Sequence, residues 1–189
     1  MKKNIKIGKI QKQLKEKNID CLILNRTDEF LNEYIAPDSE RLFWATNFSG
    51  SAGKAIINQE KSYLFVDGRY TFQAKAQIDE NVITLLHHNE FSSELSNNFS
   101  KKKCVALDPK LHSIEEVIRM IELTNKNETK LSFTESNLID ELWDNKPKRG
   151  YGTIFDHPKN YAGIDSLNKL DVFIKTLKIN NLDSYFLSS

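Results

Sequence analysis

The stretch from Trp44 to Asp79, WATNFSGSAGKAIINQEKSYLFVDGRYTFQAKAQID, leaves the chain the fewest ways to fold, because it sets a turn, two strands and a helix in immediate succession. Gly50 and Gly53 stand within Ser49-Gly50-Ser51-Ala52-Gly53, directly before the apolar run Ala55-Ile56-Ile57. That pattern predicts a sharp turn entering a strand at a place where side chains would clash. Asn58-Gln59-Glu60-Lys61 turns the chain, and Ser62-Tyr63-Leu64-Phe65-Val66 follows without alternation, rich in aromatic and β-branched residues. Such a run predicts a strand covered on both faces and central in its sheet. Asp67-Gly68-Arg69-Tyr70 then opens a helix running through Gln77, with Asp67 as its N-cap and Gly68 easing the tight strand-to-helix turn. Arg69 is thereby held on a rigid corner.

The flanking sequence extends this unit in an alternating α/β pattern. Ile7, Ile10 and Leu14 recur at helical spacing between lysines, which predicts an amphipathic helix over residues 5–17 feeding a strand at Asp20-Cys21-Leu22-Ile23-Leu24. Residues 26–41 are polar and read as a loop crossing the strand ends, where α/β proteins keep their ligand sites. Leu42-Phe43-Trp44 returns the chain to the core. Further on, the pattern predicts a strand over 82–88, a helix over 91–99, a buried strand at Cys104-Val105-Ala106-Leu107 and an edge strand at Leu131-Ser132-Phe133. Between the last two, Ser113 and Glu116 form a capping box for a helix whose apolar stripe is Ile114, Val117, Ile118 and Ile121. Asn137 is read as the cap of a short helix ending at Trp143, and Lys146-Pro147-Lys148-Arg149-Gly150-Tyr151-Gly152 as a linker.

Beyond that linker the opening of the chain recurs. Ile7, Ile10, Lys12, Leu14, Lys15, Asn18, Ile19, Asp20 and Leu24 match Leu170, Phe173, Lys175, Leu177, Lys178, Asn181, Leu182, Asp183 and Leu187. The expected organisation is a domain over 1–149, a linker over 150–164 and the incomplete start of a second, similar domain over 165–189. A lone helix and strand cannot bury their own apolar face, so this pattern implies a fragment of something longer. The fold class is α/β, a mixed sheet flanked by helices. The chain has 189 residues, 27 Lys plus Arg against 26 Asp plus Glu and a net charge of +1, which gives no reason to expect a nucleic-acid or membrane partner. Cys21 and Cys104, the only cysteines, read as reduced core thiols, and no apolar run approaches a membrane span, which points to the cytoplasm.

Glu33-Tyr34-Ile35-Ala36-Pro37, Phe48-Ser49-Gly50-Ser51-Ala52-Gly53 and Asp67-Gly68-Arg69-Tyr70 with Gln73-Ala74 resemble the N-terminal domain of Xaa-Pro aminopeptidases, in the long three-domain form of the creatinase/prolidase superfamily. Leu138-Ile139-Asp140, Trp143, Pro147, Tyr161-Ala162-Gly163 and Lys169 continue the resemblance through the junction. Asn47 stands where the family commonly has glycine, and Lys146 where an Arg usually precedes the proline; Asn tolerates positive φ, so the first change spares the turn. The resemblance implies a cytosolic metallopeptidase that removes the residue preceding proline from proline-containing peptides. It implies two divalent metal ions, usually manganese, that activate a water from a C-terminal pita-bread domain beyond Ser189, and a homodimer as the full-length protein. No catalytic residue and no metal ligand carries over to this chain. The one residue transferred is Arg69, whose guanidinium would engage a peptide carbonyl or carboxylate; pairing with Asp67 or an acidic loop residue is the structural alternative. Two other functions stay open: a non-catalytic binding or assembly module, and a fragment of a prolidase or creatinase-like relative.

Other motifs carry less. His87 and His88 are adjacent in a predicted strand, where their side chains point to opposite faces and cannot share one ion. Ser51 lacks the glycine a nucleophile elbow would need at position 49, and the same loop lacks the Gly-Lys-Ser/Thr ending of a phosphate loop. Lys101-Lys102-Lys103 reads as a solvated turn, and Trp44 and Trp143 as packing residues.

Overall fold

A computed structural model describes residues 5–98 and 103–187, which divide into two compact units, Met1–Arg149 and Gly150–Ser189. The predicted helix at 91–99 and the lysine turn at 101–103 each run partly outside the described residues. In the first unit the elements follow in the order α1 (Ile5–Glu16), β1 (Cys21–Asn25), α2 (Arg41–Thr46), β2 (Lys54–Asn58), β3 (Ser62–Val66), α3 (Thr71–Gln77), β4 (Thr84–His87), α4 (Phe91–Asn98), β5 (Cys104–Leu107), α5 (Ile114–Lys126) and β6 (Lys130–Phe133).

The strands form one mixed sheet in the order β4-β3-β2-β1-β5-β6. Five of them run the same way. Only β2 is reversed, antiparallel to β1 through Ile23↔Ile56 and to β3 through Ala55↔Leu64, while β3–β4, β1–β5 and β5–β6 are parallel. The Asn58–Lys61 turn accounts for this, since so short a connection can join only antiparallel neighbours whereas the parallel pairs need helical crossovers.

Because side chains alternate across a strand, neighbours divide between two cores. Leu22, Leu24, Ile57, Leu64 and Val66 face Ile7, Ile10 and Leu14 of α1 together with Leu42, Ala45 and Phe48. Cys21, Ile23, Ile56 and Phe65 face Leu95 of α4 and Met120 of α5. The helical stripe of α1 is fully buried, as its spacing requires. Trp44 and Trp143 stack 6.0 Å apart and serve as packing residues. Burial pushes the Cys21 thiol up to about 12, so it is an inert core group.

Several sequence expectations are corrected. β3 is interior but one place from the sheet's edge, because β4 follows it in parallel and ends the sheet. A helix, α2, forms where the sequence offered only a return to the core. Residues 138–142 make tight turns rather than a helix, with Asn137 Oδ1 accepting from Ile139 N–H at 3.0 Å and Asp140 drawn into a bidentate pair with Arg41 at 2.9 Å. The capping box at Ser113 and Glu116 is present, yet α5 turns Met120 and Thr124 inward and leaves Ile114 80% and Ile118 50% exposed. The second unit contains α6 (Lys159–Ala162) and α7 (Ser166–Ile179), the latter capped by Asp165, and residues 182–187 form no strand.

Candidate functional site

The parallel strands deliver their C-terminal ends, and β2 its start, to one side of the sheet. There the chain leaves each strand through a loop, so polar side chains gather over an apolar floor. The result is a cleft of about 650 Å³ lined by Asn25 and Arg26 after β1, Lys54 at β2, Phe65 and Asp67 at β3 and Phe91 at α4, among others. The loop predicted over 26–41 to cross the strand ends gives way to α2 at Arg41, and its residues Arg26, Thr27, Leu31, Asn32 and Glu33 supply one wall.

At the mouth, three separate segments meet in one hydrogen-bonded corner. Ser51 Oγ donates to the Glu33 carboxylate at 3.0 Å and lies 2.7 Å from the Tyr70 hydroxyl. Ser49 Oγ accepts from the side-chain amides of Gln73 at 3.1 Å and Gln77 at 2.9 Å, tying the glycine loop to α3. The glycines make the loop possible through close approach: a Cβ on Gly50 would fall 2.2 Å from the ring of Phe48, and one on Gly53 3.1 Å from Leu42. Phe48 is buried edge-on against Tyr70 at 5.7 Å, so the loop and the start of α3 share a core anchor. Gly68 differs: a Cβ there would meet nothing within 4 Å, and sterics do not require glycine.

Arg69 sits on the rim with its side chain 74% exposed. Its backbone N–H and Nε donate to Asp67 Oδ1 at 2.9 and 3.1 Å, and its Nη2 donates to Oδ2 at 2.7 Å. Asp67 thus caps the turn and pairs the guanidinium, which holds the carboxyl below its ordinary value and raises Arg69. Arg69 also lies 5.4 Å over the Tyr70 ring, and its Nη1 makes no hydrogen bond among the described residues.

Deeper in the cleft, Lys54 is hydrogen-bonded to Glu116, whose Oε2 lies 3.6 Å from Nδ1 of buried His112. The same ring nitrogen is 3.0 Å from Asn25 Nδ2. The neighbouring His112 ring, and then the hydrogen-bonded Lys54 ammonium, outweigh burial and hold the Glu116 carboxyl at about 2. His87 and His88 do not point apart as expected. β4 ends at His87, which caps the next turn, and the two rings lie 4.4 Å from each other. Among the described residues no group of three or more His, Cys, Asp or Glu side chains could hold a metal ion.

The corner offers hydrogen-bond donors and acceptors to a polar ligand; Ser51 lies between a carboxylate and a phenol, not beside an imidazole base. Sequence reasoning singled out Arg69, and the pairing with Asp67 that it named as the structural alternative is present; it read Ser51 only as a turn and did not join Glu33 and Tyr70 to it. The signal was present in the three motifs, each of which contributes one of these side chains.

The family model described as Creatinase/Prolidase N-terminal domain matches residues 6–142. A probable Xaa-Pro aminopeptidase P from Pyrenophora teres f. teres is 30% identical over 92% of this chain and 27% of its own length. One from Talaromyces marneffei is 31% identical over 97% of this chain and 29% of its own. In three dimensions the X-prolyl aminopeptidase of Caenorhabditis elegans, described as a cytosolic enzyme with a di-nuclear active site, superposes with a TM-score of 0.78 at 21% identity, over 95% of this chain and 32% of that one. This chain therefore spans under one third of the length of these relatives. With the six-stranded mixed sheet, the strand-end cleft and a match that runs through all three motifs, the chain belongs to the creatinase/prolidase N-terminal domain family.

Proposed function

We propose that this chain is an N-terminal, non-catalytic portion of a cytoplasmic, metal-dependent Xaa-Pro aminopeptidase, and that the cleft at the strand ends of its first unit is the face turned toward the peptide. The observation that carries the reading is the meeting of the three motifs in one corner, Glu33, Ser51 and Tyr70 beside Arg69. A surface that only stabilised the domain would not need an exposed guanidinium held by a carboxylate and a tyrosine ring with one nitrogen left open. Arg69 binds a carbonyl or carboxylate of the peptide through Nη1 while Asp67 keeps the other edge of the guanidinium in place.

Two divalent ions, manganese by the resemblance, would supply the activated water in sequence outside the region spanned here, and no residue of this chain is assigned to them. The second unit is read as the start of a further domain like the first, with Leu170, Phe173 and Leu177 of α7 in the roles of Ile7, Ile10 and Leu14, and the assembled enzyme as a homodimer. The test is titration of Ala-Pro-Ala into this chain by calorimetry, together with a manganese-supplemented assay for released alanine. Binding that weakens about tenfold in Arg69→Ala, with no alanine released, is the expected result. Release of alanine by this chain alone would overturn the placement of catalysis, and binding indifferent to Arg69 would overturn the role of the rim.

A further inference from the structure

The loop over residues 26–40 forms a wall of the cleft, and its inner part is held from within. Arg26, its side chain 7% exposed, donates from Nη1 to the carbonyls of Glu33 at 2.6 Å and Ser51 at 3.1 Å, and from Nη2 to Glu40 at 2.7 Å. Asp28 closes the next turn by accepting from the N–H groups of Phe30 and Asn32, both at 3.0 Å. Between them Leu31 is forced to a φ of 58°, a left-handed conformation that a non-glycine residue keeps only when its surroundings impose it.

The outer part is held by a residue far along the chain. Arg149 donates from Nη1 and Nη2 to the two carboxylate oxygens of Glu29, places Nε 3.2 Å from Asp38 Oδ2 and reaches Ser39 Oγ at 3.5 Å. One planar guanidinium therefore joins two carboxylates from different parts of the same loop, a geometry that a lysine's point charge cannot reproduce. Its hydrogen bond to Glu29, the largest influence there, holds that carboxyl at about 2. Asp38 Oδ1 and Glu40 Oε2 are buried without a hydrogen-bond partner among the described residues, so losing this cation would leave Asp38 still less compensated. Arg149 is also the last residue of the first compact unit.

We infer that Arg149 is a positioning residue for the cleft: by gripping Glu29 and Asp38 it sets the place of the loop that carries Leu31, Asn32 and Glu33 into the wall, and so links the exit of the chain from the domain to the width of the site. The inference rests on reading the cleft as a peptide-facing surface, although the grip itself can be tested without a peptide.

The experiment is amide hydrogen exchange on the full chain and on Arg149→Met, Arg149→Lys and the pair Glu29→Gln/Asp38→Asn, followed by titration with Ala-Pro-Ala. Arg149→Met should speed exchange at residues 29–36 about tenfold while β1, β2 and β3 change less than twofold, and should raise the Kd for the peptide several-fold. Arg149→Lys should recover part of the protection, and the carboxylate pair should loosen the same residues with Arg149 intact. Unchanged loop exchange in Arg149→Met, or an equal rise throughout β1–β3, would overturn the inference. A loop that loosens as described in a chain that binds no Ala-Pro-Ala would support the positioning role and sink the peptide reading instead. Binding that depends on Arg69 but not on Arg149 would do the reverse.

Discussion

At the residue scale, the loop before β2 shows that close packing can require glycine at one turn of a chain and not at the next. Gly50 has no room for a methyl, since its Cβ would lie 2.2 Å from Phe48 Cζ and 2.8 Å from Tyr70 Cδ1. Gly50→Ala is therefore expected to cost about 1–3 kcal/mol through overpacking, read as a lower urea midpoint. Gly68→Ala meets open space and negative φ, so it should leave stability unchanged or raise it by about 0.4–1 kcal/mol, because the unfolded chain loses freedom. A drop in both variants would mean that the turn after β3 is strained in a way the contacts do not reveal. The glycine spacing made the first of these legible; the second was read from the same residue type and failed, because clash is a property of neighbours that the local sequence does not name. Asn47 was legible for a better reason. It occupies φ 65° as the C-cap of α2, the conformation that Asn tolerates and that glycine commonly serves.

At the element scale, apolar spacing identified α1 and α5 but did not say which face would be covered. In α1 the spaced residues Ile7, Ile10 and Leu14 lie fully buried on the sheet. In α5 the isoleucines face outward, while Met120 and Thr124, which the pattern passed over, face in. The capping box explains part of this difference. Glu116 both closes the cap at Ser113 and reaches Lys54 at the start of β2, which fixes the rotation of the helix at its first turn. Ile10→Ala should thus cost about 2–5 kcal/mol and Ile118→Ala less than about 0.5 kcal/mol in equilibrium unfolding. The same contact makes a pH prediction. The folded state holds the Glu116 carboxyl at about 2, against an ordinary value of 4.5, so its contribution is complete above pH 4.5 and is lost as pH falls toward 2. Since Glu116 is partly solvated, that loss should be on the order of 1 kcal/mol, and Glu116→Gln should flatten the stability profile across this range. An unchanged slope would show that the Lys54 and His112 contacts do not discriminate between the two protonation states.

At the scale of the whole molecule, the sequence supplied the class of fold but not the order of the strands. That order depends on which buried runs pair, and several apolar runs of similar composition could have exchanged places; the position of β3, one strand from the edge, was missed for this reason. The cleft was legible only as a loop over strand ends, because Asn25, Lys54 and Glu116 are scattered along the chain and carry no joint spacing. The repeated opening sharpens the point. α1 and α7 share the pattern of helix, Asn, apolar residue and Asp, yet α1 covers a sheet while α7 has no buried residue and residues 182–187 form no strand. An isolated helix of this length is marginal in water, because nucleation is costly and packing supplies most helical stability. Amides in the middle of α7 should accordingly exchange at least a hundredfold faster than those around Ile10 and Leu14, a gap of roughly 2.7 kcal/mol in opening free energy. Comparable protection in the two helices would show that α7 has found a covering surface, and would separate the fate of α7 from what its own sequence can stabilise.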